Sequence, residues 1–312
     1  MRRIGRDALC GCYRDCFGLI PGRSLQSNAK TTMKKNILQI HYDAASKQML
    51  DPGFIPLEIA GNPRADWREY WAIRHYFLDN TLNEDAYYGF LSPLFGQKTN
   101  LSAQQVHHYM DCNPGNDVYT FSPSIQDSAC YLNVFEQGNK CHPGMINIAQ
   151  EFFDSIDLSV DFTTLINDFR SCVYCNYIIA KPVFWEKWFS ITERLYEIAE
   201  NEQSNLSTEL NKLTDYAKSA VEMKVFLIER IASFIMALAP DLKIAHFDIN
   251  GMPWGNVLYF PCRKEMMILN ALKIAYLDSR DPAYLTHYYS VRQDVLMRCE
   301  PNYAAAPRLN YF

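Results

Sequence analysis

The sequence carries no excess of positive charge and no long apolar run. Its 30 lysines and arginines are outnumbered by 35 aspartates and glutamates, which gives a net charge of -5 and a pI near 5.8. Duplex nucleic acid is therefore not an expected partner. A transmembrane helix needs roughly 20 apolar residues, and the longest candidate, FLIERIASFIMALA, is interrupted by Glu229 and Arg230. No transmembrane segment is expected.

Several well-known catalytic signatures are also missing. The chain has no GxxxxGK[ST], GxGxxG, HExxH or GxSxG motif, which argues against phosphate-loop ATPases, Rossmann dehydrogenases and ordinary serine hydrolases. It has no internal repeat and no low-complexity tract.

The ten cysteines are scattered rather than evenly spaced, which favours a reducing cytoplasm over a secreted disulfide scaffold. Cys172 and Cys175 have the spacing of a zinc or redox pair, but a second pair is lacking unless Cys10, Cys12 and Cys16 supply it. A cysteine-based metal or redox site is an alternative of low weight.

Residues 1–32 are basic and rich in cysteine, and they lack the apolar centre of a signal peptide. We expect a loose N-terminal extension, or the product of an over-long gene prediction, before a single domain at residues 33–312.

The pattern from residue 36 onward is that of a parallel sheet with covering helices. Strands are predicted at residues 36–41, 87–91 and 117–121, with helices after the N-cap residues Asp66 and Ser102. This βαβ order predicts an α/β fold with a mostly parallel sheet flanked by helices.

The later segments predict a helical C-terminal portion. We expect a polar loop at residues 136–144, a strand at 172–180 and a helix from Pro182. A second long helix is expected at 208–239, a late strand at 243–249, and closing helices at 266–276 and 283–297. In parallel sheets, functional residues follow the carboxyl ends of strands. This rule places Tyr42 and Asp43, Ser92–Lys98, and Ser122–Gln126 along one rim.

The order of six segments resembles that of bacterial glycosyltransferase-like proteins from capsule and O-antigen gene clusters, related to the GT-A nucleotide-sugar transferase fold. The segments are WREYWAIRHYFLDN, YYGFLSPLFGQKT, DVYTFSP, EQGNKCHPG, YCNYIIAKPVFWEKW and FLIER. The resemblance covers roughly residues 36–300. It implies transfer of a hexose-type sugar from a nucleotide-sugar donor to a glycan or lipid-linked glycan acceptor of a surface polysaccharide.

For the donor, the resemblance implies a diphosphate held by Lys98 with Ser92 and Thr99, and a nucleoside near Tyr42 and Asp43. The alternatives are that Lys98 is a solvated loop lysine and that Asp43 only forms a turn.

The metal-binding Asp-x-Asp triplet that is usual in GT-A enzymes is missing. Asp117 stands near its place but lacks the second acid. Either the enzyme works without manganese or magnesium, or Asp117 acts with a remote carboxylate.

For the chemical step, Glu136 and His142 are the expected acceptor-side groups, unless the loop carrying them is only structural. Asn176 inside an apolar strand needs hydrogen-bond partners. Glu229 and Arg230 either form a structural ion pair or face the donor pocket. The expected location is the cytoplasm, with peripheral attachment at the inner membrane left open. The rival function is that of a non-catalytic relative that binds glycan or protein.

Overall fold

The structure, a computed structural model, describes residues 33–158, 160–216, 219–255 and 257–299. The extension expected at residues 1–32 lies outside these ranges. The limits of a single domain at residues 33–312 stay a prediction.

Strands and helices follow one another along the described chain. The strands are β1 (Lys34–His41), β2 (Ile55–Glu58), β3 (Ala86–Leu91), β4 (Val118–Thr120), β5 (Ile178–Ala180), β6 (Leu213–Tyr216), β7 (Ser219–Glu222) and β8 (Ile244–His246). The helices are α1 (Ala44–Gln48), α2 (Glu69–Asp79), α3 (Phe95–Thr99), α4 (Ala103–Cys112), α5 (Ile125–Cys130), α6 (Val134–Cys141), α7 (Met145–Ser155), α8 (Pro182–Asn201), α9 (Asn205–Leu210), α10 (Met223–Leu238), α11 (Arg263–Ser279) and α12 (Pro282–Cys299). Short 3-10 helices cover Ala65–Trp67, Ile249–Gly251 and Val257–Cys262.

A six-stranded sheet with the order β2-β1-β3-β5-β4-β8 forms the centre of the molecule. β1 is parallel to β2 and β3, and β4 is parallel to β8. β5 is antiparallel to both of its neighbours, β3 and β4, so the other strands share one direction. The predicted α/β fold with a mostly parallel sheet is confirmed. β6 and β7 form a separate antiparallel hairpin.

Both faces of the sheet are buried. In β1, Leu38 and Ile40 pack in a core shared with α2, α8 and α10. Ile37, on the other face, packs with Phe95 and with Val106 of α4. A strand that is covered on both faces has a continuously apolar sequence instead of alternating apolar and polar residues. This explains the sequence AYYGFL of β3, in which every residue is buried.

The C-terminal helices pack on the segment that follows β4. Met266 of α11 and Leu296 of α12 share an apolar cluster with Ala129 and Leu132. The two closing helices predicted from the sequence are confirmed, and each extends a few residues beyond its predicted limits.

The polar loop expected at residues 136–144 is wrong, because these residues belong largely to α6. Asn133 caps this helix, and its side chain accepts hydrogen bonds from the N–H groups of Phe135 and Glu136. Gly138 lies inside the helix, where a Cβ atom would stand 2.4 Å from Nε of Arg230. The glycine therefore serves close packing rather than a loop.

The strand expected at residues 172–180 is limited to β5. Cys175 and Asn176 have φ angles of 61° and 52°, and this left-handed turn is incompatible with a strand. The single helix expected at residues 208–239 is also wrong. The chain forms α9, then the hairpin of β6 and β7, and then α10.

The helix expected to follow Asp66 begins three residues later, at Glu69. Asp66 lies in the preceding 3-10 helix, where its carboxylate accepts hydrogen bonds from Arg64 and Lys224. Arg68, between the two helices, has a φ of 51°, a conformation that is uncommon for a residue other than glycine.

Within the described ranges, no helix combines the length and apolar character required to cross a membrane.

Candidate functional site

The carboxyl ends of β1 and β3 lie where the order of the strands reverses. The chain runs from β1 to β2 on one side and then to β3 on the other side of β1. Ligands of open α/β sheets bind at such a switch point. Gln39 bridges this point, since its Nε2 donates to the Ser92 carbonyl at 3.2 Å and its Oε1 accepts from the Asp51 N–H at 2.8 Å.

Three parallel strands bring the predicted rim to one edge. Tyr42 follows β1, Ser92 follows β3 and Ser122 follows β4. Because β5 is antiparallel, the residues before it, Cys175 and Asn176, reach the same edge.

A polar cavity of about 40 Å³ opens at this edge, and four separate segments of the chain line it. The lining residues are Trp67, Arg68, Glu69, Tyr70, Ser92, Lys98, Cys175, Asn176, Val225, Ile228 and Glu229. Of the predicted site residues, the cavity gathers Ser92, Lys98, Asn176 and Glu229. Its volume holds roughly three water-sized groups, enough for a phosphoryl group or part of a sugar but not for a whole nucleotide.

Lys98 supplies a positive charge to the cavity. It stands in the last turn of α3, which is anchored by the buried residues Phe95 and Thr99. Its ammonium donates a hydrogen bond to Sγ of Cys175 at 3.3 Å. Burial raises the pKa of Cys175 to about 11, and the nearby Glu229 adds to this effect. The thiol is therefore neutral near pH 7 and does not neutralise the lysine.

Asn176 brings an unpaired acceptor to the same cavity. Its Oδ1 is buried, and it accepts no hydrogen bond from the described residues. Buried polar atoms without partners are rare in folded proteins. An amide oxygen in this position is suited to accept a hydrogen bond from a ligand hydroxyl.

Glu229 is the acidic group on the α10 side of the cavity, in a helix that is otherwise largely apolar. It forms no ion pair or hydrogen bond with the described part of the chain. Burial raises the pKa of its carboxyl group, although the positive charges of Arg230 and Lys98 oppose this shift. A carboxylate with a raised pKa in a cavity is suited to accept a proton.

Ser92 and Thr99 differ in what their hydroxyl groups do. Ser92 lines the cavity, and its Oγ lies 2.7 Å from the hydroxyl of Tyr177. Thr99 does not line it, because its Oγ1 donates to the Phe95 carbonyl and accepts from the Leu101 N–H. The position of Thr99 does not support its predicted donor-binding role, since its hydroxyl is hydrogen-bonded to the backbone at the end of α3.

Tyr42 and Asp43 lie on the predicted edge but outside the cavity. The Tyr42 side chain is 43% exposed. Asp43 caps α1, and its carboxylate accepts hydrogen bonds from the N–H and hydroxyl of Ser46. These bonds lower the pKa of Asp43. The turn-forming alternative for Asp43 is thus realised.

Asp117 lies at the opposite edge of the sheet from the cavity, and its catalytic role stays a prediction. It precedes β4, whereas the cavity lies beyond the carboxyl ends of the parallel strands. Its carboxylate pairs with Lys181 Nζ at 2.8 Å and accepts the Lys243 N–H at 3.0 Å. These contacts join β4 to neighbouring segments and lower the pKa of Asp117 against the effect of burial.

Glu136 and His142 also lie outside the cavity. Glu136 pairs with Arg292 at 2.6 Å and accepts the Leu132 N–H at 2.6 Å. The imidazole of His142 stacks on the ring of Phe226 with centroids 3.6 Å apart. Because both side chains join helices to one another, their positions do not support the predicted acceptor-side roles.

Arg230 does not face the cavity, although the adjacent Glu229 does. The guanidinium donates to the carbonyls of Val134 and Phe226 and to Oε1 of Gln137. It joins α10 to α6. Arg230 thus has a structural position, with hydrogen bonds to carbonyl and amide oxygens, whereas Glu229 lines the cavity and its role toward a donor stays a prediction.

Sequence reasoning missed Arg68, Glu69 and Cys175 as lining residues. The turn at Arg68 carries no recognisable sequence signal, because left-handed arginine is uncommon. Cys175 was considered only as a partner of Cys172. The latter is buried, with Sγ 3.6 Å from the Asn167 carbonyl.

The cavity does not fit a divalent metal ion. Its carboxylates, Glu69 and Glu229, share it with the positive side chains of Lys98 and Arg68. In the part of the chain that the structure describes, no three or more His, Cys, Asp or Glu side chains are grouped to hold a metal ion. The two alternatives from the sequence, an enzyme that works without manganese or magnesium and a role for Asp117 with a remote carboxylate, both stay predictions.

Comparison with known proteins assigns this chain to no family. No protein-family model matches it, and no curated protein matches it. Among solved structures, the chain is similar to the apo structure of the WbbM bifunctional glycosyltransferase, with 13% sequence identity and a TM-score of 0.34. The match covers 68% of this chain and 44% of that one. A similarity at this TM-score carries no argument about fold or activity.

Proposed function

We propose that the protein is a glycosyltransferase that moves a hexose-type sugar from a nucleotide-sugar donor to a surface polysaccharide. The observation that carries the proposal is that several separate segments of the chain meet at one cavity. Residues from four of the six segments that define the family resemblance line one polar cavity at the switch point of the sheet. A purely structural role does not account for an amide oxygen and a carboxylate in the same cavity that have no partner among the described residues.

Lys98 and Arg68 are proposed to hold the donor diphosphate. Ammonium and guanidinium groups form the strong, charge-assisted hydrogen bonds that phosphate oxygens accept. The cavity takes one phosphoryl group or part of the sugar, and the rest of the donor, with its nucleoside, extends along the open edge toward the exposed ring of Tyr42.

Asn176 and Ser92 are proposed to orient the transferred sugar. The unpaired Oδ1 of Asn176 accepts a hydrogen bond from a sugar hydroxyl, while Ser92 is held in place by Tyr177. Fixed partners of this kind position the anomeric carbon for attack.

Glu229 is proposed to accept the proton of the attacking hydroxyl. The acceptor oxygen forms a bond to the anomeric carbon, the bond from that carbon to the diphosphate breaks, and the hydroxyl proton passes to Glu229. The diphosphate leaves with the bonding electrons, its charge held by Lys98 and Arg68. The raised pKa of Glu229 favours this transfer.

Three further parts of the proposal rest on the family resemblance. They are the GT-A type of fold, a capsule or O-antigen acceptor, and a location in the cytoplasm, with peripheral attachment at the inner membrane as an open alternative. The two cations beside the cavity supply charge that a divalent ion would otherwise supply.

Calorimetry with a panel of nucleoside diphosphates, with and without manganese, tests the donor site. We expect Lys98→Ala to weaken binding of the cognate nucleotide about 10- to 100-fold, since a charge-assisted hydrogen bond is lost. Lys187→Ala, which removes an exposed lysine from α8, is the matched control and should bind normally. Equal affinity of both variants for the cognate nucleotide would remove Lys98 from the site.

One observation favours the rival function of a non-catalytic glycan- or protein-binding relative. The cavity volume of about 40 Å³ is well below the roughly 300–1,000 Å³ of most ligand pockets. A screen for donor hydrolysis across nucleotide sugars separates the two functions. Turnover of any donor supports the transferase, and failure to bind any nucleoside diphosphate supports the rival.

A further inference from the structure

A second and larger concavity lies beside the first, at the end of the sheet formed by β8. It encloses about 310 Å³, a volume at the lower limit of typical small-molecule pockets. The residues that line it include Asn100, Asn250, Met252, Trp254, Phe260 and Arg263. None of these residues belongs to the cavity around Lys98.

Its position relates it to the proposed transfer site. Asn250 and Trp254 follow β8, which is parallel to β4, so they lie at the same edge of the sheet as Ser92. Asn100 ends α3 only two residues after Lys98, and the two Cα atoms are therefore within about 7 Å. One short helix thus contributes a residue to each concavity.

The wall of this groove is an aromatic pair. The rings of Trp254 and Phe260 have centroids 5.3 Å apart, inclined by 42°. The Phe260 side chain is 51% exposed. Large aromatic side chains are normally buried, so an exposed ring beside a half-buried tryptophan offers an apolar platform to a ligand.

The loop that carries the platform is held against the sheet edge. Met252 is buried in the apolar cluster on one face of the sheet. At Gly255, a Cβ atom would stand 2.9 Å from the Ser124 hydroxyl and 2.9 Å from the Gln126 amide nitrogen. Asp248 accepts hydrogen bonds from the N–H and the side-chain amide of Asn250. The platform is therefore positioned before any ligand arrives.

We propose that this groove binds the saccharide acceptor, with a sugar ring lying on Trp254 and Phe260. A sugar ring presents C–H groups on its faces and hydroxyls around its rim. The aromatic pair complements the faces, while the amides of Asn100 and Asn250 and the guanidinium of Arg263 complement the hydroxyls. Calling the bound saccharide an acceptor rests on the proposed function, whereas the binding of a saccharide in the groove does not.

The strand order separates the acceptor from the donor. The proposed nucleoside position lies at β1, and the groove follows β8 at the opposite end of the sheet. The cavity with Lys98 and Glu229 lies beyond the ends of β3 and β5. In the sheet order these strands stand between β1 and β8. A saccharide in the groove therefore approaches the donor from the side away from the nucleoside.

Saturation-transfer NMR with methyl glycosides of hexoses, 6-deoxyhexoses, N-acetylhexosamines and hexuronic acids tests the groove. We expect saturable binding of at least one glycoside, weakened tenfold or more by Trp254→Ala and by Phe260→Ala. Phe260 is exposed, so its variant remains informative if Trp254→Ala fails to fold. Tyr284→Ala, which removes a ring that is 37% exposed on α12, is the matched control and should bind as the wild type does.

The outcomes separate the two proposals. Glycoside binding that depends on Trp254, in a protein that neither binds nor turns over any nucleotide, supports the groove and overturns the transferase. Nucleotide turnover without glycoside binding, or with binding that both aromatic variants retain, overturns the groove alone. A loss of nucleoside diphosphate binding in Trp254→Ala also overturns it, because the groove would then hold the donor.

Discussion

Glu136 is a buried glutamate and Glu229 a partly buried one, both lie within helices, and their partners distinguish them. Glu136 is paired with the buried Arg292, whereas Glu229 faces a cavity and forms no ion pair with the described residues. A carboxylate available to a ligand is a candidate for proton transfer, and a carboxylate neutralised by a buried arginine is a joint between helices.

Glu229→Gln is therefore expected to reduce sugar transfer about 100- to 10,000-fold, the usual contribution of a general base. Nucleoside diphosphate affinity should change little, since glutamine keeps the shape of the side chain. The wild-type rate should rise with pH as Glu229 loses its proton. Because the pKa of Glu229 is raised, this rise should occur at a higher pH than it would for an ordinary glutamate.

Steady-state kinetics across pH, with Glu186→Gln as an exposed control on α8, provide the test. A Glu229→Gln enzyme that retains the wild-type rate and the wild-type acid limb would exclude Glu229 as the base.

Asp127, in α5 at the carboxyl side of β4, makes a separate prediction about stability. Burial raises its pKa to about 6, although hydrogen bonds from Gln126 and Gln137 and the charge of Arg230 oppose the shift. In the unfolded chain an aspartate titrates near pH 3.9. Because the folded-state pKa is the higher one, its stabilising contribution is full below about pH 4 and is lost as the pH rises through about 6.

Asp127→Asn cannot ionise, so its free energy of unfolding should not decline over this window. Relative to the wild type, we expect the variant to gain about 1–3 kcal/mol between about pH 4.5 and about pH 7.5. Urea denaturation at both pH values measures this change, with the exposed Asp241→Asn as control. An equal difference between Asp127→Asn and wild type at the two pH values would contradict it.

Part of the site was predictable from the sequence, residue by residue. Ser92 and Lys98 followed from a buried strand that ends in polar residues, and Asn176 and Glu229 stood out as polar residues in apolar surroundings. Asp117 entered the prediction only because the resemblance places it near the missing Asp-x-Asp triplet, whereas the structure puts it before β4 and outside the cavity. Arg68 could not be foreseen, because its left-handed turn depends on tertiary packing.

At the scale of elements, an ion network fixes the segment that enters α2. Lys224, at the start of α10 and 2% exposed in its side chain, donates to Asp66 at 2.8 Å and to Asn211 at 2.8 Å. Its ammonium also lies 4.3 Å from the centroid of a Trp67 ring. These contacts hold Trp67 and Arg68 against the cavity.

Lys224→Met should destabilise the protein by about 3 kcal/mol, because it leaves part of a buried ion network unpaired. It should also weaken nucleotide binding, since the turn at Arg68 loses its support. Lys212→Met is the matched control, because the Lys212 side chain is 63% exposed and forms a surface ion pair with Glu209. Denaturant titration and calorimetry of both variants test the prediction. Equal unfolding midpoints for the two variants would contradict it.

The predictable elements were those with a strong local signal. Buried β1 and β3, the capped helix α4 and the proline at the start of α8 all agree with the sequence pattern. The helix expected at residues 208–239 failed because apolar residues of the β6–β7 hairpin fell by chance at helical spacing. The structure ends α9 at the cap Asn211, whose amide donates to the Ala199 and Ser207 carbonyls. Such a long-range contact leaves no periodic signal.

Across the whole molecule, the C-terminal helices are joined to α5, α6 and the residues near them by buried polar contacts as well as apolar ones. Lys273 of α11 donates to the carbonyls of Ser128, Tyr131 and Asn167. Tyr288 of α12 donates to the Cys130 carbonyl at 2.9 Å. The ion pair between Arg292 and Glu136 joins α12 to α6. The segment that follows β4 is therefore shaped by helices more than 100 residues later in the chain.

Glu136→Gln tests whether this residue joins helices or takes part in catalysis. If Glu136 joins the helices, removal of its charge leaves the buried Arg292 without a counter-charge. The free energy of unfolding should then fall by about 2–4 kcal/mol. Turnover per folded molecule should then stay within about twofold of wild type, because a glutamine still accepts the Leu132 N–H.

The control is Glu265→Gln, which breaks the pair between Glu265 and the half-exposed Arg298 and should cost less than about 1 kcal/mol. Comparing denaturation midpoints with turnover at a temperature where every variant is folded separates the two roles. A Glu136→Gln protein with normal stability and strongly reduced turnover would return this residue to the acceptor side, as the sequence suggested.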